Sequence, residues 1–445
     1  MIEYRNLRVA LLGAGSVGAQ VASLLREHAD ELAGRIGAGL EVVGIAVRDL
    51  DAPRSAEFPR ELLTTDARSL ILGADIVIEL MGGLEPAREY LELAMNSGAD
   101  VITANKALLA THGPELFAIA EQVGAQLYYE AAVGGAIPII RPLRDSLAGD
   151  RVHRILGIVN GTTNYILDRM DTEGDTLEEA LAAATELGYA EADPTADIEG
   201  YDAAQKAAIL ASLAFHTTVP LEAVHREGIT AITHEQVMAA RRAGYVIKLL
   251  AVCERLVDDS GVEGVSARVH PALVPLSHPL AAVHGANNAV FLEAEAAGSL
   301  MFYGAGAGGV QTASAVLGDV VSAARRHVIG GPGVAESTQA GLPILPMSSV
   351  TTRYQITLEV VDQPGVLAQI ATMFSEHNVS VEAVQQSVRS AEPAAAGGTE
   401  QPSATATLVI GTHEATESAL AATVASLEAT ESVAEVTSVL RVEGL

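Results

Sequence analysis

A glycine-rich segment, Gly13-Ala14-Gly15-Ser16-Val17-Gly18, most constrains what this chain can fold into, because it follows an apolar run at residues 7–12 and opens a helical pattern. In a strand–turn–helix unit of this kind, Gly13 permits a tight turn, Gly15 lets the backbone approach a bound group, and Gly18 allows the helix to pack closely on the strand. A plain structural turn is the alternative interpretation. The strand pattern before the motif and the helical pattern after it favour a dinucleotide-binding turn.

Strand patterns recur along the first third of the chain, at residues 41–47, 75–80, 100–103 and 126–130, with helical patterns between them. Strands that alternate with helices indicate βαβ units and a parallel sheet. The sequence therefore predicts an α/β fold in which residues 1–145 form a Rossmann-type parallel-sheet domain.

The pattern changes after residue 145. Residues 146–330 combine alanine-rich helical patterns with alternating strand patterns, which predicts an α+β domain whose helix at 312–328 packs back on the first domain. Residues 331–352 are rich in Gly, Pro, Ser and Thr and predict a linker. Residues 353–445 show the βαββαβ order of a ferredoxin-like domain, with an Ala/Gly/Pro-rich hairpin loop at 390–403.

Composition excludes several classes of partner. The net charge of −29 argues against a nucleic-acid partner, which would require clustered positive charge. No uninterrupted apolar run reaches the roughly 18 residues of a membrane helix, so no membrane partner is expected. The single cysteine, Cys253, excludes an intrachain disulfide, and the N-terminus lacks a signal-peptide pattern, so the sequence predicts a cytoplasmic location.

An anionic cofactor on so acidic a chain must be held by local features such as backbone amides and a helix N-terminus, which residues 13–18 offer. Arg48 and Asp49 lie just past the second strand pattern. An arginine there favours the 2′-phosphate of NADP, and an acid favours the ribose 2′-hydroxyl of NAD. We expect NADP(H), bound through Arg48, with NAD(H) as the alternative and a plain surface cation as the other interpretation of Arg48.

The stretch from Gly188 to Lys206 is the most informative one, because it places several acidic residues before an otherwise apolar helical pattern. Asp202 and Lys206 are four residues apart and share one helix face. A lysine held by a carboxylate can donate a proton to a forming alkoxide, and Glu191 and Asp197 could bind an ammonium group. Spacing alone leaves a solvated surface ion pair as an equal alternative.

Two further segments follow predicted strands. Lys106 follows the fourth strand, at the edge where ligands bind in parallel sheets, and could face a cofactor or substrate, although an ordinary lysine at a helix start is the alternative. The glycine-rich turn at 130–138 could direct carbonyl oxygens and one carboxylate at a cation, but from the residues alone a structural turn is favoured. Cys253 lies in an apolar stretch, and no zinc-ligand spacing is present.

Taken together, these motifs resemble homoserine dehydrogenase over most of residues 7–330. The similarity lies in the glycine motif, Thr103-Ala104-Asn105-Lys106, the turn 130–138, Gly161-Thr162-Thr163-Asn164-Tyr165-Ile166-Leu167, the stretch 188–206, and Tyr303-Gly304-Ala305-Gly306-Ala307-Gly308. The resemblance implies NAD(P)H-dependent, reversible reduction of aspartate 4-semialdehyde to homoserine.

The resemblance also implies roles for individual residues. It makes Lys206 the proton donor, Asp202 and Glu191 substrate-binding residues with Asp197 beside them, and Lys106 a neighbour of both cofactor and substrate. Gly188 and Gly306 fall where the family contacts the nicotinamide end of the cofactor. A monovalent cation, usually sodium, is implied at the turn that carries Glu130, Val133, Gly135 and Ile137.

The tail, with Asp362-Gln363-Pro364-Gly365-Val366-Leu367 in its first connection, resembles an ACT domain, a small-molecule sensor of amino-acid biosynthesis. This resemblance implies feedback by threonine, bound near residues 362–367 between ACT domains, and a homo-oligomer, either a dimer or a tetramer. Removal of the residues after about 345 is expected to leave activity and abolish inhibition.

Two alternatives remain from the sequence. One is another Rossmann oxidoreductase with an amino-acid-like substrate, of the saccharopine or diaminopimelate type, which would share the glycine motif but not the 188–206 arrangement. The other is a non-catalytic nucleotide sensor.

Overall fold

The structure is a computed structural model that describes residues 5–52, 54, 58–258, 260–330, 338–388 and 405–444. It confirms the predicted fold class: a parallel Rossmann-type sheet, a mixed sheet with helices, and a C-terminal βαββαβ domain. The hairpin loop predicted at 390–403 lies outside the described residues, as does part of the linker predicted at 331–352.

The first domain is built on a parallel sheet of six strands, counted over the described residues, in the order β3-β2-β1-β4-β5-β6. Its strands are β1 Leu7–Leu12, β2 Leu40–Ala46, β3 Leu63–Thr64, β4 Ile76–Glu79, β5 Asp100–Thr103 and β6 Leu127–Tyr128. Its helices are α1 Ser16–Glu27, α2 Ala29–Ile36, α3 Ala67–Ile71, α4 Ala87–Asn96 and α5 Lys106–Val123. Because the strand order reverses between β1 and β4, a crevice opens at their carboxyl ends, where ligands bind in folds of this kind.

The middle segment supplies a second layer. Its strands are β7 Val152–Ile158, β8 His225–Arg226, β9 Tyr245–Val257, β10 Glu263–Pro275, β11 Asn287–Ala294 and β12 Gly298–Ala305. Its helices are α6 Gly161–Thr172, α7 Leu177–Glu186, α8 Thr195–Ile198, α9 Tyr201–Phe215, α10 His234–Arg242 and α11 Gly309–Ile329. Helix α11 shares one apolar core with strands of the first sheet, since Ala313, Val316 and Val320 lie in the same cluster as Val9 and Ile76.

Strands β11 and β12 form a hairpin, in which the chain reverses before Gly298, where φ is 73°. Strand β9 carries a continuous apolar run that does not alternate, since both of its faces are buried, and such a run cannot be distinguished from a buried helix by periodicity.

Helix α9 occupies the interior of this domain. Ala203, Ala204, Ala207, Ala208 and Ala211 are all buried, and these small side chains let neighbouring elements approach the helix on several sides. The charged residues on this helix therefore lie in the protein interior and not on a solvated face.

The C-terminal domain has the strands β13 Thr351–Val361, β14 Val381–Val388, β15 Thr405–Thr412, β16 Ala415–Thr416 and β17 Val433–Val442, and the helices α12 Val366–Glu376 and α13 Glu417–Glu428. Its sheet is continuous with that of the middle segment, because the end of β17 pairs in parallel with β10, with Arg441 opposite Ala272 and Val442 opposite Leu273. No helix within the described ranges is long and apolar enough to cross a membrane.

The residue after β17, Glu443, is buried in a cluster of basic side chains from the middle domain. One carboxylate oxygen lies 3.2 Å from Arg268 Nη2 and 3.6 Å from His270 Nε2, and the other accepts a hydrogen bond from Arg154. Burial favours the neutral form of Glu443, but Arg268, His270 and Arg154 outweigh that effect and hold its pKa well below the ordinary value. The cluster therefore fastens the C-terminal domain to the middle domain.

We predict that Glu443→Ala destabilises the protein by about 3–5 kcal/mol, because Arg154 and Arg268 would then share one remaining carboxylate, Glu254, and one positive charge would be left without a partner. Since the pKa of Glu443 is lowered in the folded state, its contribution is present above about pH 4.3 and is lost as the pH falls further. Thermal unfolding at pH 7 measures the effect, and Glu435→Ala, an exposed glutamate on β17, is the control. Equal unfolding temperatures for the two variants would contradict the prediction.

Candidate active site

The glycine-rich turn lies at the crevice between β1 and β4. A Cβ atom on Gly18 would stand 2.2 Å from the carbonyl oxygen of Gly13, so the close contact of the helix with the turn requires glycine. A Cβ on Gly15 would meet no atom within 4 Å, so space is open there. Helix α1 begins after Gly15 with no side-chain cap, which leaves the N–H groups of its first turn for an anionic ligand. Ala14, Ser16 and Val17 complete this turn, and their setting fits the pyrophosphate of a dinucleotide.

Arg48 lies two residues past the end of β2 and is exposed. Within the described ranges it forms no ion pair. The carboxylate of Asp49 accepts a hydrogen bond from the N–H of Asp51 at 2.9 Å and so is bound to its own loop. Of the two side chains, the basic one is the more available to a cofactor.

Lys106 is placed by a hydrogen-bonded layer at the ends of β4 and β5. The buried carboxylate of Glu79 accepts from the N–H groups of Met81 and Gly82 and, at 2.6 Å, from the hydroxyl of Thr103. Asn105 accepts from the N–H of Leu108 at 3.1 Å and caps α5, and its amide donates to the carbonyl of Gly83 at 2.6 Å. Helix α5 therefore begins at a fixed point, with Lys106 as its first residue.

Lys106 and Lys206 meet at one buried carboxylate, that of Asp202. Lys106 Nζ lies 2.5 Å from Asp202 Oδ1, and Lys206 Nζ lies 2.8 Å from Asp202 Oδ2. Only 7% of Asp202 and 8% of Lys206 is exposed, so the surface ion pair left open by the sequence is excluded. The side chain of Lys106 remains 40% exposed, on the open side of the group.

The segment between β7 and α6 binds this group from the other side. The carbonyl of Val159 accepts a hydrogen bond from Lys206 Nζ at 2.7 Å. The side-chain amide of Asn160 donates to Asp197 at 2.7 Å and to Asp202 at 2.9 Å. Asp197 is thereby brought to the group, as the sequence predicted only in general terms.

The two carboxylates differ in their tendency to bind protons. Burial favours the neutral form of Asp202, but Lys206 and Lys106 together hold its pKa well below the ordinary range. Burial raises the pKa of Asp197, and the hydrogen bond from Asn160 opposes that rise only in part. Asp202 is therefore a permanent anion at neutral pH, whereas Asp197 binds a proton more readily.

Glu191 and Gly188 are not joined to this group. Both are exposed, on the connection between α7 and α8. No described residue donates a hydrogen bond to the carboxylate of Glu191. The connection is fastened at Tyr189, whose carbonyl accepts from the hydroxyl of Thr162 at 2.7 Å.

The one carboxylate of the turn at 130–137, that of Glu130, is hydrogen-bonded to the residues that follow the turn. Glu130 accepts hydrogen bonds from the N–H groups of Ile139, Ile140 and Arg141, at 2.6–2.9 Å, and from the Arg141 guanidinium. The carbonyls of Val133, Gly135 and Ile137, all in buried residues, accept no hydrogen bond from the part of the chain that the structure describes. The ligands that the turn could offer a cation are therefore carbonyl oxygens, without the carboxylate expected from the sequence.

Gly306 lies against this turn. A Cβ on Gly135 would stand 2.2 Å from the carbonyl oxygen of Gly306, and one on Gly306 would overlap the side chain of Asn288. Gly309, at the start of α11, lies in turn beside the carbonyl of Ser16. The turn, the glycine-rich loop before α11 and the first glycine motif therefore form one continuous surface.

Comparison with known families identifies the three parts of the chain. Residues 13–130 match the model "Homoserine dehydrogenase, NAD binding domain", residues 138–321 match "Homoserine dehydrogenase", and residues 354–431 match "ACT domain". The chain belongs to the homoserine dehydrogenase family. It is an NAD(P)-dependent oxidoreductase that acts on the CH–OH group of homoserine and carries a C-terminal ACT domain.

Relatives and solved structures of this family match along the whole chain. The homoserine dehydrogenase of Corynebacterium glutamicum is 53% identical over 98% of this chain and 95% of its own length, and that of Mycobacterium tuberculosis is 53% identical over 99% of each. A homoserine dehydrogenase structure from Thiobacillus denitrificans covers 99% of both chains with a TM-score of 0.88 and 38% identity. This similarity favours the family over both alternatives that the sequence left open.

Cys253 does not have the setting of a catalytic nucleophile. Cys253 is fully buried, and burial raises the pKa of its thiol to about 12, so it is not a thiolate nucleophile. No cluster of three or more His, Cys, Asp or Glu side chains suited to a metal is found in the described residues.

Asn160, Glu79, Thr103 and Asn105 are the site residues that the sequence analysis missed. Each lies at or just past the end of a buried strand, and the two asparagines are N-caps. An asparagine between a predicted strand and a predicted helix is a signal that could have singled out both of them.

Proposed function

We propose that Lys206 is the proton donor when aspartate 4-semialdehyde is reduced to homoserine, and the proton acceptor in the reverse direction. A lysine ammonium group has three N–H bonds, and the described residues accept two of them, at Val159 and Asp202. The third is left for a substrate oxygen. This count is the observation that carries the proposal.

The composition of the chain supports this role. Lys106, Lys206 and Lys248 are its three lysines, and every other residue among the 27 basic ones is an arginine. Arginine does not release its proton in proteins, whereas lysine can. Two of these three lysines contact Asp202, so both basic residues at this carboxylate are of the type that can release a proton.

The remaining roles follow from position. When bound, NAD(P)H supplies the hydride. Asp202 holds Lys206 charged and oriented, and Lys106, on the open side of the group, faces both cofactor and substrate. Asp197, with Glu191 on the neighbouring exposed connection, binds the ammonium group of the substrate, and Gly188 and Gly306 border the nicotinamide end.

We expect Lys206→Arg and Lys206→Ala each to lower kcat by about 10²-fold or more, since proton transfer by a positioned group contributes about 10²–10⁴-fold. Lys106→Arg, which keeps a charge beside Asp202, should cost less. NADPH oxidation with aspartate 4-semialdehyde measures the rates, and fluorescence titration with NADPH confirms that cofactor binding is kept. A Lys206→Arg enzyme as fast as the Lys106→Arg enzyme would refute the assignment.

NADP(H) is the proposed cofactor, bound through residues 13–18 and Arg48. Arg48 is exposed and forms no ion pair with any residue that the structure describes, whereas the carboxylate of Asp49 already accepts a hydrogen bond from the N–H of Asp51; both observations support this cofactor. A hyperthermophilic archaeal homoserine dehydrogenase was solved in complex with NADPH. It is 27% identical to this chain, and the match covers 74% of this chain and 99% of the archaeal one, with a TM-score of 0.61.

Arg48→Ala should weaken NADPH binding by about 10–100-fold, because a hydrogen bond to a charged group contributes about 1.5–3 kcal/mol. NADH binding should stay the same, since NADH lacks the 2′-phosphate. Dissociation constants for both cofactors measure the effect, with Arg26→Ala, an exposed arginine on α1, as the control. An equal loss for both cofactors would exclude recognition of the phosphate.

A monovalent cation, Na⁺, is proposed at the turn of Glu130, Val133, Gly135 and Ile137. Among the described residues, none donates a hydrogen bond to the carbonyls of Val133, Gly135 and Ile137, and this supports the proposal because carbonyl groups in buried residues normally have a hydrogen-bonding or ionic partner. Such a cation would order the backbone that carries these carbonyls next to Gly306.

The proposed regulation is feedback inhibition by threonine at the ACT domain, in the synthesis of threonine, methionine and isoleucine by a cytoplasmic homo-oligomer. Asp362 lies in the exposed connection after β13 and Leu367 in the first turn of α12, where its side chain is also exposed, so both are accessible to an effector. Side-chain contacts also connect the ACT domain to the helix that carries Asp202 and Lys206. Arg441 lies 2.9 Å from Glu227, and the neighbouring Arg226 stacks at 3.6 Å on Tyr201, the first residue of α9.

We expect millimolar L-threonine to slow NADPH oxidation by the full-length enzyme, and D-threonine, the matched control, to have no effect. The full chain is needed, because deletion after residue 345 would also remove Glu443 from its place beside Arg268. Isothermal calorimetry separates a failure to bind from binding without inhibition. A rate independent of L-threonine would refute the proposed regulation.

A further inference from the structure

Asn160 occupies the junction between β7 and α6, 5% exposed, in contact with both carboxylates of the site. Its side-chain oxygen accepts from the N–H of Thr163 at 2.9 Å and from the hydroxyl of Thr163 at 3.0 Å. Its side-chain nitrogen donates one hydrogen to Asp197 and the other to Asp202. All the polar groups of this side chain are therefore satisfied.

This arrangement fixes which way the amide points. A reversed amide would place its NH₂ group against the N–H of Thr163 and its oxygen against two carboxylates, so these three contacts would become repulsive, and only the hydroxyl of Thr163 could adapt. The helix N-terminus therefore orients the amide, and the amide presents both hydrogens to the acidic residues. A serine, threonine or aspartate could cap the helix equally well, but none of them offers two donors.

The two amide hydrogens of Asn160 reach both carboxylates, whereas the lysines contact only one of them. Lys206 and Lys106 both contact Asp202, whereas the hydrogen-bond donor to Asp197 is Asn160. Two buried carboxylates with no donor between them repel each other, and one of them then takes up a proton. A neutral double donor keeps both carboxylates in place without adding a charge.

We propose that Asn160 is a positioning residue of the reaction, which holds Asp202 and Asp197 and thereby aims the ammonium group of Lys206 at the substrate. Val159 assists from the adjacent position, because its carbonyl accepts from Lys206 Nζ. The inference rests on the proposed role of Lys206.

Asn160→Asp is the sharpest test, because the carboxylate still caps α6 while it removes both donors. The altered site would hold three carboxylates, at 160, 197 and 202, facing the ammonium groups of Lys206 and Lys106. We expect kcat to fall by about 10²-fold, as for a misplaced catalytic group, and NADPH affinity to stay within about twofold. Asn160→Ser replaces the two amide donors by a single hydroxyl on a shorter side chain and adds no charge. Thr233→Asp, which places a carboxylate at the exposed N-cap of α10, is the matched control and should leave kcat unchanged.

The pH dependence separates positioning from a purely structural role. A proton bound by the three carboxylates restores one donor, so the rate of Asn160→Asp relative to the unaltered enzyme should rise as the pH falls from 9 to 6. Asn160→Ser has no such group and should be slow at every pH. Rates within about threefold of the unaltered enzyme for both variants, or a constant ratio over this pH range for Asn160→Asp, would overturn the proposal. If Asn160→Asp does not fold, the kcat of Asn160→Ser decides.

Lys206→Arg, measured in parallel, keeps the two proposals distinguishable. A slow Lys206→Arg enzyme beside fast Asn160 variants overturns the positioning role alone. A fast Lys206→Arg enzyme overturns the role of Lys206. In that case slow Asn160 variants with recovery in acid would show that Asn160 positions the carboxylates for another group.

Discussion

The buried carboxylate of Asp202 is the interaction on which the rest of the site depends. Burial of one anion is costly, and the cost is offset here by two ammonium groups that come from different domains, Lys106 on α5 and Lys206 on α9. The carboxylate thus orients the group nearest the substrate and also holds the two walls of the crevice together. A helix as rich in alanine as α9 is what allows such a charge to sit between a sheet and a second helix.

Local patterns in the sequence predicted the parts of this site that lie within one element. The glycine motif and the contact of Asp202 with Lys206 follow from a strand–turn–helix unit and from helical periodicity. The contact between Lys106 and Asp202 could not be predicted, because it arises when two domains pack together. Asn160 has a recognisable N-cap position in the sequence, but its contacts with the acidic residues could not be predicted from it, because those partners lie 37 and 42 residues away, on α8 and α9 of the same domain. Glu191 also lies in the acidic stretch 188–206, but the fold leaves it exposed and away from Asp202 and Lys206.

The ACT domain is joined to the middle domain more firmly than a linker rich in glycine and proline suggests. Its last strand extends the sheet of the middle domain through pairing of β17 with β10, and Glu443 fills a buried basic cluster. The same strand carries Arg441, whose guanidinium also lies 2.5 Å from Glu417 of α13. Arg441 thus links α13 to Glu227, and the neighbouring Arg226 contacts Tyr201 at the start of α9.

The cofactor side of the crevice shows how residues from distant parts of the sequence build one surface. The N–H of Glu130 donates to Asp319 of α11 at 2.9 Å, and Arg141 lies between the carboxylates of Glu130 and Asp319. Burial raises the pKa of Asp319 to about 7, with Arg141 opposing the rise. The glycine motif near residue 15 and the turn near residue 135 are thus positioned by one helix, α11, which begins beside Ser16 and binds the turn through Asp319. The Gly306 loop joins β12 to α11, so the loop, the turn and the glycine motif all adjoin the same helix.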